Sequence, residues 1–458
     1  MLIQQLETKN LSIGYWDLKR EAWLVFGDNN SGKHLLFDNL IDFLKQQQPA
    51  IERVACVNFA EQERLVLREL ERDESDITDI ITPGTLVEQM LSEIEPQSTI
   101  YLPIAKQLGL ENKLTLGFRC LSTGETRKLL LARALLAQPE LLLVEDILDG
   151  IDTDTRECIL TVLKTFTQGQ RQLIMLVDRL ADIPAFITHY ALFSEGELTL
   201  AATKKQVEQD NLWLKLQLNK PAKPLPDTLY ERPALNSDEP IFSLCNGRVS
   251  YGDNVVFSGL NWQIKQGEHW RILGRNGAGK STLLKLVTGE HPQCYSNQIR
   301  QFGFQRGSGE SIWDIKQHYG LVSAELHLNY RVTVNALTVV VSGFFDSIGV
   351  YQAVNQSQKN QALIWLDWFC IGHLANLPFQ SLSYGQQRLV LIARALVKAP
   401  RLLIFDEPMQ GLDEANCQLV ISAINRLIAS KACQLLYVSH REEPELQPVF
   451  KTLKLPIE

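Results

Sequence analysis

The chain contains two copies of one pattern, separated by a constant distance. Leu-Ser-Thr-Gly-Glu at residues 121–125 returns as Leu-Ser-Tyr-Gly-Gln at residues 382–386, which is 261 positions later. Each pentapeptide is followed by an apolar run that ends in two acids, at residues 145–146 and 406–407, again 261 positions apart. A repeat of this length predicts two domains with the same fold, and 458 residues are enough for two sizeable cores.

Each copy has the pattern of an α/β domain. The short apolar runs at residues 141–144 and 402–405 are typical of parallel strands that are buried on both faces. Helical patterns lie between such runs, for example at residues 386–398, and residues 325–379 of the second copy are rich in helical pattern. A polar stretch with five prolines predicts a linker. We therefore predict a first domain at residues 1–202, a linker at 203–240 and a second domain at 241–458.

Composition and charge exclude several classes of protein. The net charge of −8 gives no electrostatic reason to bind nucleic acid or an anionic membrane surface. The eight cysteines show no C-x-x-C spacing, which favours reduced thiols in a cytosolic protein. The sequence has neither a signal peptide pattern nor an 18-residue apolar run without charges. We therefore predict a cytoplasmic protein, free or bound peripherally to the inner face of the plasma membrane, that drives transport only with a separate membrane subunit.

The second copy contains a complete phosphate-binding loop. Residues 274–282 read Gly-Arg-Asn-Gly-Ala-Gly-Lys-Ser-Thr and lie between an apolar run and a helical pattern. Glycines allow backbone N–H groups to surround a phosphate, while Lys280 neutralises charge and the Ser281 hydroxyl is a ligand for Mg²⁺. The residues that we predict to bind ATP here are Gly274, Asn276, Gly277, Ala278, Gly279, Lys280, Ser281 and Thr282.

Four further residues complete this predicted site. Asp406, at the end of a buried strand, is the predicted acid on the Mg²⁺ side, together with Ser281, and Glu407 is the predicted base that polarises the attacking water. His440 follows another strand pattern and is predicted to contact the γ-phosphate, although a lone histidine is more often structural. Tyr251 precedes the loop by 23 residues and is a candidate for stacking on adenine, with core packing as the alternative.

The corresponding loop of the first copy has diverged. Its length and its lysine are kept, but His34 replaces the hydroxyl of Ser281, and an imidazole is a poor ligand for Mg²⁺. Asn30 adds bulk at the position of Gly277. The residues of this degenerate site are Gly27, Asn29, Ser31, Gly32, Lys33 and His34.

The acids of the first copy have diverged as well. Glu145 and Asp146 stand in reversed order, and Arg179 takes the position of His440. Loss of a positioned base alone typically costs ~10²–10⁴-fold in rate. We therefore expect no useful hydrolysis at this site; whether it holds nucleotide as a structural clamp stays open.

Together these motifs resemble the ATP-binding cassette family, since the pentapeptides match its signature and stand at the right spacing from the phosphate loop. The resemblance covers both halves of the chain. It implies two tandem P-loop nucleotide-binding domains, each with a mostly parallel sheet and a helical subdomain, and ATP and Mg²⁺ as cofactors. Members of the family pair their cassettes head to tail, within one chain or in a dimer, and hold each ATP between the loop of one cassette and the signature of the other.

The head-to-tail arrangement implies two composite sites. In the competent site the second-domain loop and acids are joined by Ser122 and Gly124 of the first domain. In the degenerate site the first-domain loop is joined by Ser383 and Gly385. This arrangement explains why the first domain keeps an intact signature while its own catalytic residues have changed.

Both copies lack the glutamine that cassettes usually place after a strand to contact Mg²⁺ and the γ-phosphate. Ala324 occupies that position in the second copy and Phe59 in the first. The neighbouring Glu325, Glu61 and Gln62 are candidates to replace it.

Two functions remain open at this point. Residues 121–128, 263–270, 311–316 and 342–349 are similar to tandem cassette proteins associated with molybdate transport, which implies the ATPase component or an accessory of such a system with a separate permease. The alternative is an ATP-dependent switch that acts on a partner such as the ribosome. The short, weakly basic linker of 38 residues argues against the ribosomal version, and the intact second site argues against an idle regulatory binder.

Overall fold

The computed structural model describes residues 2–8, 11–18, 21–27, 31–47, 53–71, 83–169, 171–213, 225–226, 239–252, 254–431, 433–439, 446 and 450–455. The chain divides into two compact units, Met1–Leu218 and Asn219–Glu458. Each unit contains one copy of the sequence repeat.

Within the described residues, the first unit is built on one mixed sheet of eight strands. Its strands are β1 (Leu2–Glu7), β2 (Ser12–Asp17), β3 (Ala22–Phe26), β4 (Val54–Val57), β5 (Leu141–Glu145), β6 (Gln172–Leu176), β7 (His189–Ser194) and β8 (Glu197–Thr203). They lie in the order β1-β2-β8-β7-β3-β6-β5-β4. The neighbours from β7 to β4 are parallel, whereas β7 with β8 and β1 with β2 are antiparallel.

Helices cover this sheet. They are α1 (Leu36–Gln47), α2 (Phe59–Glu71), α3 (Val87–Ser92), α4 (Ser98–Gln107), α5 (Thr123–Leu136), α6 (Thr153–Gln168) and α7 (Lys204–Val207). Because alternate side chains of a strand point to opposite faces, Leu142 and Val144 of β5 belong to one apolar core and Leu141 and Leu143 to another. The predicted burial of this strand on both faces is confirmed.

The second unit has a parallel sheet and a separate antiparallel sheet. Its strands are β9 (Phe242–Tyr251), β10 (Asn254–Ile264), β11 (His269–Gly274), β12 (Gln298–Gln301), β13 (Phe304–Gln305), β14 (Tyr319–Val322), β15 (Leu402–Asp406), β16 (Gln434–Ser439) and β17 (Phe450–Leu455). Five parallel strands lie in the order β14-β15-β16-β11-β17, and the other four form the antiparallel sheet β10-β9-β12-β13.

The helices of the second unit include the predicted helix-rich stretch. They are α8 (Lys280–Val287), α9 (Ile312–Lys316), α10 (Ala324–Asn329), α11 (Ala336–Val341), α12 (Gln356–Trp368), α13 (Tyr384–Leu396) and α14 (Glu414–Ala429). The aromatic residues around α12 are buried in an apolar core: Trp365, Trp368 and Phe369 are 2%, 5% and 1% exposed. The predicted α/β fold with parallel sheets is therefore confirmed.

The first unit extends past residue 202, where the sequence placed its end. After β8 the chain forms α7, and Val207 and Trp213 are both buried in the core of this unit. The ring of Trp213 lies 5.5 Å from that of Phe26 and 5.1 Å from that of Tyr190. The prolines on which the linker prediction relied begin only at Pro221. They gave no indication that Val207 and Trp213, which precede them, are buried in the first unit.

The sheets determine where polar groups meet. The predicted phosphate loops follow β3 and β11, and the paired acids stand at the ends of β5 and β15. In the first sheet β6 lies between β3 and β5, and in the second sheet β16 lies between β11 and β15. Because the carboxyl ends of parallel strands lie at the same edge of a sheet, loop and acids come together there. Across the described part of the chain, no helix has the length and apolar character that crossing a bilayer requires.

Candidate functional site

The second unit has a cavity of about 430 Å³ at the carboxyl ends of β11 and β15. It is lined by Tyr251, Val256, Asn276, Gly277, Gly279, Lys280, Ser281, Thr282, Ala324, Asp406, Glu407 and Gln410. Most of the residues predicted for the ATP site are therefore brought together. Gly274 and Ala278 belong to the same loop without lining the cavity, and His440 lies outside the described residues.

The glycines of this loop are required by its backbone conformation. Gly277 and Gly279 have φ angles of 78° and 90°, in the left-handed region that side chains disfavour. A Cβ atom at Gly279 would also lie 2.5 Å from a methyl carbon of Val256. Lys280, at the start of α8, curls back over the loop, and its Nζ donates to the carbonyls of Gly274 at 2.7 Å and Arg275 at 3.2 Å.

The two acids of the second unit are held by backbone contacts. Glu407 has a φ angle of 48°, and its N–H donates to the carbonyl of Val438 at 2.9 Å. The buried guanidinium of Arg388, on α13, donates to the carbonyl of Glu407 at 2.7 Å and to those of Asp406 and Pro408 at 3.2 and 3.3 Å. The helix that carries the signature is thus bonded to the segment that carries the acids.

In the first unit an arginine again connects the signature helix to the segment that follows the acids, although not to the acids themselves. Arg127, which stands 261 positions before Arg388, donates to the carbonyls of Ile147, at 3.1 Å, and Asp149. Asp146, at the position of Glu407, has a φ angle of 42°. Sequence reasoning missed both arginines, although their equal distance from the two signatures was a usable signal.

Burial raises the pKa of Asp406 from its ordinary value of 3.8 to about 6. The negative charge of Glu407 acts in the same direction, whereas Arg388 and Lys280 lower this pKa by a smaller amount. A cation beside Asp406 would relieve the same repulsion, which fits the predicted role of this carboxylate as an acid on the Mg²⁺ side.

Both signatures begin a helix in the same way. Ser122 precedes α5 and Ser383 precedes α13, and the hydroxyl of each accepts a hydrogen bond from a backbone N–H three residues later. Both serines are exposed, whereas Gly124 and Gly385 are buried in the first turn. The exposed helix N-termini are suited to anions, since their N–H groups and dipoles favour negative charge.

Tyr251 borders the cavity. It is 57% exposed, and its hydroxyl lies 3.0 Å from Nε2 of His291. This exposure excludes the alternative that Tyr251 is a core residue; stacking on adenine stays a prediction.

The position of the missing glutamine is occupied by Ala324, which lines the cavity without a polar side chain. The adjacent Glu325 is ion-paired with Lys285 at 2.9 Å. In the first unit Phe59 is 72% exposed and Glu61 is ion-paired with Arg64 at 2.7 Å. The candidates to replace the glutamine stay predictions.

The loop lysine of the first unit has an internal carboxylate partner. Lys33 is completely buried, its Nζ lies 2.5 Å from Oδ1 of Asp178, and it donates to the carbonyl of Gly27 at 2.5 Å. Asp178 follows β6 and stands 261 positions before Ser439, so the second copy has an uncharged residue there. Sequence reasoning missed Asp178, although this exchange was visible in the repeat.

His34 contacts the acids of the first unit. Its Nδ1 lies 2.7 Å from Oε1 of Glu145, and its Nε2 lies 3.7 Å from Oδ1 of Asp178. Burial raises the pKa of Asp146 well above its ordinary value, and the charge of Asp178 adds to this effect.

The other residues predicted for this site fall into two groups. Ser31 is buried and Gly32 has a φ angle of 74°, so the end of the loop keeps its turn, and Arg179 is buried. Asn29 and Asn30 lie outside the described residues.

Comparisons with known proteins agree with this geometry. A family model described as ABC transporter matches residues 257–410. The chain is 42% identical to the ABC transporter ATP-binding protein ModF of Escherichia coli, over 95% of this chain and 92% of that protein. It is 30% identical to the molybdate import ATP-binding protein MolC of Haemophilus influenzae, over 44% of this chain and 74% of that protein. A solved structure of RNase-L Inhibitor has the same fold, with a TM-score of 0.61 at 17% identity over 96% of this chain and 84% of that one.

Replacing Asp406 by Asn should stabilise the protein at neutral and alkaline pH in buffer without nucleotide or metal. The folded state binds the proton of Asp406 more tightly than the unfolded state, so this carboxyl lowers stability as the pH rises from 3.8 to about 6. We expect the free energy of unfolding of Asp406→Asn to exceed that of the parent by about 2 to 3 kcal/mol at pH 8. Chemical denaturation at pH 5 and pH 8 measures the difference, which should shrink at pH 5. The control is Glu111→Gln, an exposed position; a gain for Asp406→Asn no larger than that of the control would contradict the effect.

Proposed function

Because this chain belongs to the ATP-binding cassette family, we propose that it is an ATP-hydrolysing tandem cassette protein with one competent site. The observation that supports this most directly is the difference between the two phosphate loops. In the second unit the loop lysine and both acids border a cavity of about 430 Å³. In the first unit the buried loop lysine is ion-paired with Asp178.

The residues of the second unit fit ATP and Mg²⁺. The cavity has the size of a small-molecule site, and its loop offers backbone N–H groups and Lys280 to phosphate oxygens. Ser281 and Asp406 offer oxygen ligands, which Mg²⁺ prefers. When bound, Mg²⁺ supplies positive charge to the phosphate oxygens.

Each residue then has a defined role in hydrolysis. Glu407 accepts a proton from the water whose oxygen attacks the γ-phosphorus, and the bond to the β-phosphate oxygen breaks to release ADP. Lys280 neutralises the charge on the phosphate oxygens, and His440 contacts the γ-phosphate. Tyr251 stacks on adenine, which its exposed ring beside the loop supports.

The signature of the first domain completes this site in our proposal. Ser122 and Gly124 bind the γ-phosphate side of the ATP held by the second-domain loop, and Ser383 and Gly385 have the same relation to the degenerate loop. The exposed serines at two helix N-termini support this assignment. The pairing is within one chain or between two copies of it.

The biological role that we propose is that of an ATPase component of, or accessory to, a molybdate-type transport system with a separate permease. Its support is the 42% identity to ModF, an ABC transporter ATP-binding protein, and the 30% identity to the molybdate import protein MolC. The alternative role on the ribosome has only a likeness of fold in its favour, at 17% identity, so transport is the better supported function.

Replacing Glu407 by Gln should lower the rate of ATP hydrolysis by ~10²–10⁴-fold, because the variant cannot accept the proton of water. The matched control is Asp146→Asn at the same position of the first copy, for which we expect less than a twofold change. Phosphate release from the purified protein measures both rates. Equal losses of hydrolysis in the two variants would contradict the proposal that only the second-unit acids support hydrolysis.

Substitution in the signature of the first domain should lower ATP hydrolysis more than substitution in that of the second domain, because each signature is proposed to serve the loop of the other domain. Ser122→Arg places a bulky side chain where the competent site expects a hydroxyl, so hydrolysis should fall at least tenfold. Ser383→Arg removes the same kind of helix cap, with a similar loss of about 1 kcal/mol in stability, but should leave most of the activity. Parallel measurements of hydrolysis and thermal unfolding separate the two effects. A larger loss of hydrolysis in Ser383→Arg would reverse the assignment.

Fractionation of cells tests the biological role. A transport role predicts that the protein co-sediments with membranes in the presence of ATP and the Glu407→Gln substitution, which keeps the nucleotide bound. The ribosome fraction of the same lysate is the comparison. Enrichment with ribosomes and not with membranes would reject the transport role while leaving the ATPase assignment intact.

A further inference from the structure

The phosphate loop of the first unit already contains a negative charge. Lys33 is completely buried, and its ammonium group is held between the carboxylate of Asp178 and the carbonyl of Gly27, both at 2.5 Å. A phosphate that approached this lysine would have to displace the carboxylate or lie against it. The ion pair therefore disfavours nucleotide at this loop.

Three side chains beside this ion pair have the arrangement of a metal site. His34, Glu145 and Asp146 each offer a ligand atom, and these atoms all lie within 4.8 Å of one another. They come from two places in the fold: His34 from the short helical turn after the loop, and the adjacent Glu145 and Asp146 from the end of β5. Asp178 approaches the same group, 3.7 Å from Nε2 of His34.

The charges of this group suit a divalent cation. Three carboxylates and one lysine give a formal charge of −2 when His34 is neutral, and a divalent ion balances it. A neutral imidazole with carboxylate oxygens is a ligand set for Zn²⁺, Mn²⁺ or Co²⁺ rather than for Mg²⁺, which prefers oxygen alone. The second unit has Ser281 at the position of His34, in keeping with an oxygen-only site there.

The ligand atoms already lie close to the separations that a bound ion requires. Ligand atoms about 2 Å from a tetrahedral Zn²⁺ stand roughly 3.3 Å apart. His34 Nδ1 and Glu145 Oε1, now 2.7 Å apart, therefore have to separate slightly, while atoms at up to 4.8 Å have to approach. The His34 side chain already contacts Glu145 and is 40% exposed, so an ion can reach it from solvent, while Glu145 and Asp178 are 15% and 16% exposed.

We propose that the first unit binds a divalent transition-metal ion through His34, Glu145 and Asp146, in place of Mg-nucleotide. The diverged residues of this unit then form a site of different chemistry. The proposal does not depend on which site hydrolyses ATP.

Cobalt is the probe for this site, because Co²⁺ bound to a protein has visible absorption that reports its ligands. The full-length protein without a polyhistidine tag is stripped of metal and titrated with Co²⁺ in the absence of nucleotide. We expect one ion per chain, with displacement by Zn²⁺ and no displacement by a hundredfold excess of Mg²⁺. Absence of a visible band at one equivalent, or displacement by Mg²⁺, would overturn the proposal.

Substitutions identify the ligands. His34→Ser introduces the residue of the second copy, and Glu145→Gln removes a charged ligand; each should weaken Co²⁺ binding at least tenfold. His373→Ser, at an exposed turn of the second unit, is the matched control and should bind as the parent does. Circular dichroism verifies that each variant is folded. Equal affinity of His34→Ser and His373→Ser would place the metal elsewhere and reject the site.

A last titration distinguishes a metal site of this kind from a site that binds metal together with nucleotide. The titration is repeated in the Lys280→Ala variant with and without ATP, so that nucleotide binding by the second loop is weakened. We expect the affinity for Co²⁺ to be unchanged by ATP. An increase of tenfold or more would mean that the ion enters together with nucleotide, which contradicts the proposal even if the second unit hydrolyses ATP as proposed.

Discussion

Burial of the parallel strands on both faces is the constraint on which the two sites depend. β5 and β15 each contribute alternate side chains to two cores, so neither strand can shift by one residue without exposing apolar groups. Their last residues are therefore fixed at the edge of the sheet where the chain turns into the loops after β3 and β11. The order and burial of the strands therefore bring two acids and a lysine together in each unit.

The two units share a fold but differ in the charged groups around the loop lysine. In the second unit the loop lysine is hydrogen-bonded to carbonyls of its own loop and faces a cavity that two acids also line. In the first unit one additional carboxylate, that of Asp178, reaches the lysine and the neighbouring histidine contacts Glu145. A few substitutions at the strand ends thus change which ligands a pocket can accept, while the strands themselves need not change.

The sequence was sufficient for the fold class and for predicting which residues border the cavity of the second unit, and insufficient for contacts between distant residues. The loop glycines, Lys280 and the paired acids follow local patterns whose backbone geometry is nearly invariant. The ion pair of Lys33 joins residues that are far apart in the chain, so it depends on β6 lying between β3 and β5, which no local pattern reveals. The end of the first unit was misplaced for a related reason, because burial of Trp213 depends on Phe26 and Tyr190.

The arginines of the two signature helices have a mechanical consequence. Because Arg388 donates to three consecutive main-chain carbonyls, it connects the signature helix directly to the turn that bears the acids. In the first unit Arg127 connects its helix to the segment just after the acids, through the carbonyls of Ile147 and Asp149. In either unit, a movement of the signature helix therefore acts on the segment that follows the acid-bearing strand, whichever ligand that unit binds.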